Sequence, residues 1–192
     1  MQFVPLLDTP PAVQQALRLL RNQPAVRQHM YSDHEIGEAE HARWLASLQG
    51  NPRQQVFAVM VEEELGGLVS LNAIDPQHGR ADWAFYIDSQ LQGKGLGSLI
   101  EFMLLDHAFG AAGLHKLNCE VLASNTAVVR MHQKFGFQLE GVRRQDIVKA
   151  GARVDVVLLG MTRDEWQAQR PKMAALIERL GRPGPQGEQA LQ

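Results

Sequence analysis

The chain has 192 residues, 45% hydrophobic and 21% charged, enough for one compact domain that buries a core without metal or disulfide staples. A formal charge of −2 gives no polyanion footprint, so no nucleic-acid partner is expected, and a single cysteine, Cys119, excludes an intramolecular disulfide and suits a reducing compartment. The histidines are scattered with no HExxH or CxxC pairing, no apolar run nears the roughly 20 residues of a membrane span, and the first residues carry no basic stretch leading into an apolar one; the expectation is a cytoplasmic protein with no metal site and no membrane partner.

Val13, Ala16, Leu17 and Leu20 predict a first helix over 12–22. Residues 25–36 are polar and mixed, unlike a core segment. A second helix is predicted over 37–49, with Trp44, Leu45 and Leu48 on one face. Residues 56–61 and 68–74 read as strands joined by a hairpin over 62–67. Asp75-Pro76 and Gly79 break the second of these, and 81–88 form a third central strand. A helix over 97–112 follows, with Leu96, Leu99, Ile100, Met103 and Leu104 marking its buried stripe. Then come a strand over 117–122, a helix over 125–135, a hairpin near 137–148 and 153–162 turning at 149–151, and a closing helix over 163–180. One domain is therefore expected over 1–180, with a disordered Gly- and Pro-rich tail over 181–192. The order describes a mixed α/β domain in which helices interrupt one sheet.

The strongest local motif is Gln92-Gly93-Lys94-Gly95-Leu96-Gly97, followed by Ser98, set directly between a strand and a helix. A helix start offers unpaired backbone N–H groups and a positive dipole end, and glycines let a phosphate approach them closely. A P-loop would need Ser or Thr after Lys94, where Gly95 stands; a dinucleotide fold would need glycine where Ser98 stands and a repeating βαβ pattern. The pattern Q/R-x-x-G-x-G/A, the acetyl-CoA pyrophosphate loop of the GNAT acetyltransferases, matches without a gap. Downstream, Leu117-Asn118-Cys119-Glu120-Val121-Leu122 leads into Asn125-Thr126-Ala127 and ends in Lys134-Phe135-Gly136-Phe137. This resembles the GNAT strand, Asn- and Ala-bearing turn, helix and K-x-G-F ending.

The resemblance implies a mostly antiparallel twisted sheet of about seven strands, flanked by helices, with two central strands splayed apart at the acetyl-CoA site. It implies that the backbone of Phe85, Tyr86 and Ile87 pairs with pantetheine. It further implies that residues 92–98 bind the cofactor with Asn125 and Lys134 on the other side of the splay. Asn125 is equally placed to cap the following helix.

Amine acetylation needs a base for the amine, stabilisation of the thioester oxygen and a proton for the departing thiolate. By resemblance, Glu120 holds the place of a general base, and strand alternation aims it at the splay if Val121 faces the other side. Pairing with a nearby cation is the competing reading. Asp82 is a second base acting through water. The family's acid is a tyrosine in L-Y-x-K-x-G-F; His132 stands there instead. An imidazolium can protonate a thiolate or hydrogen-bond sulfur, although an ordinary pKa of about 6.5 makes it a minority species at neutral pH. The competing reading is a helix-surface side chain. Cys119 faces away from Glu120 by alternation and has no adjacent histidine, so no acetyl-enzyme is expected.

The stretch Met30-Tyr31 followed by Ile36 and Glu40-His41-Ala42-Arg43-Trp44, with Glu140-Gly141-Val142-Arg143-Arg144-Gln145 later, resembles the bacterial UDP-4-amino-sugar N-acetyltransferases of pseudaminic acid synthesis. That resemblance implies a UDP-linked 4-amino-4,6-dideoxy sugar as acceptor, used in flagellin or surface-glycan modification. Met30, Tyr31, Trp44 and Tyr86 would form an apolar wall against the sugar, and Arg27, His29, His41 and Arg143 would supply the diphosphate contacts. The alternatives are a protein N-terminal or ribosomal-protein amine, and a catalytically silent acetyl-CoA-binding protein. A homodimer is compatible with either.

Overall fold

The computed structural model describes residues 1–180; the tail expected to be disordered lies outside the described residues. Seven strands form one sheet: β1 (Gln2–Pro5), β2 (Gln55–Val61), β3 (Glu64–Asp75), β4 (Arg80–Ile87), β5 (Lys116–Leu122), β6 (Gln138–Lys149) and β7 (Ala152–Thr162), in the order β1-β2-β3-β4-β5-β7-β6. The helices are α1 (Pro11–Asn22), α2 (Pro24–Arg27), α3 (Glu38–Leu48), α4 (Leu96–Asp106), α5 (Thr126–Phe135) and α6 (Arg163–Leu180). The mixed α/β reading and the mostly antiparallel sheet hold: every neighbouring pair is antiparallel except β4 with β5.

Strand alternation divides the sheet into two faces. Phe57, Val59 and Val61 of β2 point with Val69 and Leu71 of β3 into the larger core, which α4, α5 and α6 cover through Ile100, Leu104, Phe135, Trp166 and Met173. Val56, Ala58 and Met60 point the other way, with Leu65 and Leu68, onto Leu17 of α1 and Trp44, Leu45 and Leu48 of α3. The two cores lock both faces of β3 and β4, which gives the strands around the site a rigid frame.

Four local readings change. β1 was not expected: it is a four-residue edge strand ending at Pro5, too short to show an alternating pattern. The β2–β3 hairpin is tighter than 62–67, because Glu62 and Glu63 both adopt positive φ (50° and 70°) and Val61 pairs directly with Glu64. The α4 helix does not run regularly to 112 but passes into a π-helical turn, His107–Ala111. The polar stretch 25–36 is not wholly outside the core, since α2 buries Val26.

β3 and β4 approach so closely at Gly67 that an added Cβ would overlap the Tyr86 carbonyl oxygen and lie 3.0 Å from Ile87 Cα. Gly67→Ala is therefore expected to cost about 1–3 kcal/mol and to lower the melting temperature by several degrees. A melting curve indistinguishable from wild type would show that the strands yield freely at this point.

Candidate active site

β4 pairs with β5 only through Arg80–Lys116, Ala81–Leu117 and Asp82–Asn118. Beyond these, β4 stays paired to β3 as far as Ile87, while β5 stays paired to β7 as far as Leu122. The β4 residues from Trp83 to Ile87 therefore have no partner on β5, leaving an open backbone edge of the kind an extended chain can join. The expected splay is present, with Phe85, Tyr86 and Ile87 along its rim.

The glycine turn stands at one end of this opening. Gly95, with φ 82°, directly precedes α4 and makes no side-chain cap, and the first backbone bond back to it comes from the N–H of Leu99, 3.2 Å from its carbonyl. The N–H groups of Leu96, Gly97 and Ser98 are thus the open donors of a helix start. No acid lies in the first turn of α4. At the far side Asn125 Oδ1 accepts from the Val128 N–H at 3.4 Å, capping α5, and Asn125 also lines the cavity, so its two expected roles are compatible.

One cavity of about 880 Å³ runs from Gln92, Gly93, Gly95, Gly97 and Ser98 through the splay to a wall made by Met30, Tyr31, Trp44 and Tyr86. An elongated thioester finds both an anion cradle and an open strand edge in this space, so the residues present fit acetyl-CoA. Asp82, Glu120 and His132 also line it.

Glu120 sits where two predicted acceptor residues converge. Its Oε2 accepts from the Tyr31 hydroxyl at 2.6 Å, and its Oε1 is 2.7 Å from Arg143 Nη1. Pairing with a cation and facing the cavity thus occur together. Burial and the Glu120 carboxylate push the Tyr31 phenol well up, so it stays a donor. Asp82 accepts from Asn118 Nδ2 at 3.2 Å at the last paired position before the splay.

His132 is not a helix-surface residue. It is 2% exposed, edge-on to Trp83 and beside Phe85 and Phe137. Its Nδ1 lies 2.9 Å from Oε1 of Glu101, which is 0% exposed on α4. Nothing singled out Glu101 from sequence; the available signal was one carboxylate inside the apolar run Leu99-Ile100-Glu101-Phe102-Met103-Leu104. Cys119 is buried, and burial raises its thiol well above the usual range, so it is no nucleophile.

Several expected contacts are not brought to the cavity lining. His41 is buried, with Nε2 2.8 Å from the Gln14 carbonyl oxygen and its ring beside Trp44, so it packs α3 on α1. Arg27 pairs with Glu35 at 3.1 Å. His29 does line the cavity, but desolvation and then the neighbouring Lys149 charge lower its pKa, so it offers a neutral ring rather than a cation. Lys94 and Lys134 are exposed, and Leu96 packs against the core instead of lining the cavity. Arg143 reaches the site through Glu120.

A further residue shapes the Tyr31 end of the cavity. Lys149, at the tip of the β6–β7 hairpin, donates to the carbonyls of Arg27 (3.1 Å) and Met30 (2.6 Å) and to Asp33. It ties the loop carrying Tyr31 to the far edge of the sheet. Its only sequence signal was a lysine beside a turn.

The description of the family model that matches residues 6–138 is Acetyltransferase (GNAT) domain, and the match spans more than half of the chain. The chain belongs to this family and is an acetyl-CoA-dependent acetyltransferase acting on an amine. It is 27% identical to an uncharacterized SPbeta prophage-derived N-acetyltransferase of Bacillus subtilis over 65% of this chain and 70% of that protein. It is 34% identical to spermidine N(1)-acetyltransferase of Escherichia coli, over 44% of this chain and 46% of that enzyme. In three dimensions it is similar to the spermidine N-acetyltransferase of Vibrio cholerae crystallised with CoA and spermine (TM-score 0.80, 21% identity, 86% of this chain and 97% of that one). Among the described residues no helix is long and apolar enough to cross a membrane.

Two outcomes follow from this geometry. Gly95→Val blocks the approach to the open N–H groups and strains a left-handed backbone; CoA affinity by calorimetry is expected to fall about tenfold or more, about 1.4 kcal/mol, with the circular dichroism spectrum retained. Unchanged affinity would remove the cradle from the account. Lys149→Met keeps the stem but releases the Tyr31 loop, so the acceptor KM is expected to rise several-fold while CoA affinity stays put. An unaltered KM would make the clamp irrelevant to the acceptor.

Proposed function

We propose that the enzyme acetylates the 4-amino group of a UDP-linked 4-amino-4,6-dideoxy sugar by direct attack of the amine on the thioester. The observation that carries this reading is the acceptor end of the cavity, where Met30, Tyr31, Trp44 and Tyr86 make a largely apolar wall opposite Glu120. A deoxy sugar has an apolar face for such a wall and one amine to direct at a carboxylate. The diphosphate would lie towards the rim, where Arg27 belongs to an ion pair whose exposed carboxylate, Glu35, a phosphate can replace at little cost.

Acetyl-CoA supplies the acetyl group as a thioester. The open N–H groups at the start of α4 hold its pyrophosphate, and the unpaired edge of β4 aligns its extended arm. Glu120, oriented by Tyr31 and Arg143, takes the amine proton directly or through a water shared with Asp82. His132 Nε2 gives a proton to the sulfur as it leaves. The aromatic ring cluster around His132 excludes water from that transfer.

The similarity to spermidine acetyltransferases favours a polyamine acceptor as the second reading. A polycation is best held by several carboxylates. Asp82 and Glu120 are the carboxylates on the described cavity lining, and Glu120 is already matched by Arg143, which supports the sugar instead. An acetylation assay on UDP-4-amino sugars, spermidine and N-terminal peptides, read by product mass, separates these acceptors. Acetylated sugar nucleotide is expected; product from spermidine or peptide alone would overturn the proposal. Glu120→Gln is expected to lower the single-turnover rate on the true acceptor by about 10²–10⁴. A rate within twofold of wild type would make Glu120 structural.

A further inference from the structure

A carboxylate with no solvent access is costly to keep in a core unless its charge is matched or neutralised. Glu101 is such a group. It lies in the inward stripe of α4 beside Ile100, Leu104 and Leu105, all fully buried, where another aliphatic side chain would pack without penalty. Its Oε1 meets His132 Nδ1 at 2.9 Å, and its Oε2 has no hydrogen-bond partner. The pairing joins two elements that border the cavity: α4, whose first turn lines it through Gly97 and Ser98, and α5, whose cap Asn125 lines it.

We propose that Glu101 is a positioning residue for the acetyl transfer: the Glu101–His132 pair holds one shared proton in the core, and that proton keeps Nε2 of His132 a hydrogen donor towards the leaving sulfur. This inference rests on the reading of His132 as the acid. With Nδ1 engaged by Glu101, Nε2 is the ring nitrogen left to face the cavity. The low-dielectric surroundings disfavour any net charge on the pair. Its two forms without net charge are carboxylate with imidazolium, and carboxylic acid donating to Nδ1 of a neutral ring. In both, Nε2 carries hydrogen. The pair thus answers the difficulty that an ordinary imidazole is mostly deprotonated at neutral pH.

The other groups packed around the ring do not compete. β4 contributes Trp83 and Phe85, the start of β6 is preceded by Phe137, and on the Glu101 side β5 contributes the Cys119 thiol, which burial keeps protonated. Burial also raises the Glu101 carboxyl, with the histidine opposing, in keeping with a proton retained by the pair.

The transfer balances. The amine nitrogen bonds to the acetyl carbon, the carbon–sulfur bond breaks with its electron pair going to sulfur, and the proton on Nε2 passes to that sulfur. The pair is left as carboxylate hydrogen-bonded to Nδ1–H, with Nε2 bare, until a proton returns from solvent. The amine's own proton leaves through Glu120, so the sum is amine plus thioester giving amide plus thiol.

The test begins on the wild-type protein without ligand. Nitrogen-15 spectra of the His132 ring at neutral pH are expected to show Nε2 protonated; a bare Nε2 would overturn the proposal. The second arm is Glu101→Gln, which keeps the shape and removes the charge. Its single-turnover rate is expected to fall about tenfold or more at neutral pH. The deficit relative to wild type should shrink as pH is lowered, because the ring then gains its proton without Glu101, and CoA affinity should not change. A constant deficit at all pH values would reduce Glu101 to packing and overturn the inference. The acid reading itself is checked separately by His132→Phe: if this variant retains the full single-turnover rate while wild-type Nε2 is protonated, the pair exists but does not serve the sulfur, and the positioning role of Glu101 falls with it.

Discussion

The structure turns on where the pairing of β4 with β5 stops. Each strand is held along its length by an outer antiparallel neighbour, β3 or β7, and the two meet in parallel for three residue pairs only. Past Asp82 and Asn118 they part. Unpaired backbone is normally avoided inside a fold because each bare N–H or C=O carries a desolvation cost. The opening leaves β4 donors and acceptors facing a cavity, a natural place for an extended ligand to complete the sheet. Everything else in the site is arranged around that gap: the open start of α4 at one end, Asn125 across it, and the Tyr31 loop closing the other.

The Tyr31 end of the cavity is built from residues far apart in sequence that meet at the β5-β7-β6 end of the sheet. Tyr31 comes from the segment after α2, Glu120 from β5 and Arg143 from β6, and they converge on one carboxylate. Lys149 fixes the same segment from the hairpin tip. The arrangement couples the Tyr31 end of the cavity to the C-terminal hairpin, so changes in β6 and β7 reach Glu120 without touching the start of α4. Exposed ion pairs of this kind contribute little to stability; their worth lies in orientation.

Sequence reading succeeded where the signal is local. The glycine turn, the Asn125 cap and the alternation of Cys119 against Glu120 depend on contiguous residues, and the structure has all three. It failed where a feature depends on a distant partner. Glu101 sits in an apolar run and acquires meaning only from His132, 31 positions later. His41 and Arg27 looked like free cations because their partners, the Gln14 carbonyl and Glu35, are matched by folding of α1 and the loop and not by any motif. β1 escaped notice because four residues ending in proline hold too few alternations to register, yet they complete the sheet beside β2.

The β4–β5 opening and the start of α4 form one acetyl-CoA site. Backbone amide spectra recorded during a CoA titration test this directly, without relying on turnover or on the acceptor's identity. The largest shifts are expected on Leu96, Gly97 and Ser98 and on Phe85, Tyr86 and Ile87, with Asn125 following. Shifts confined to other elements, with these amides unmoved at saturation, would contradict it.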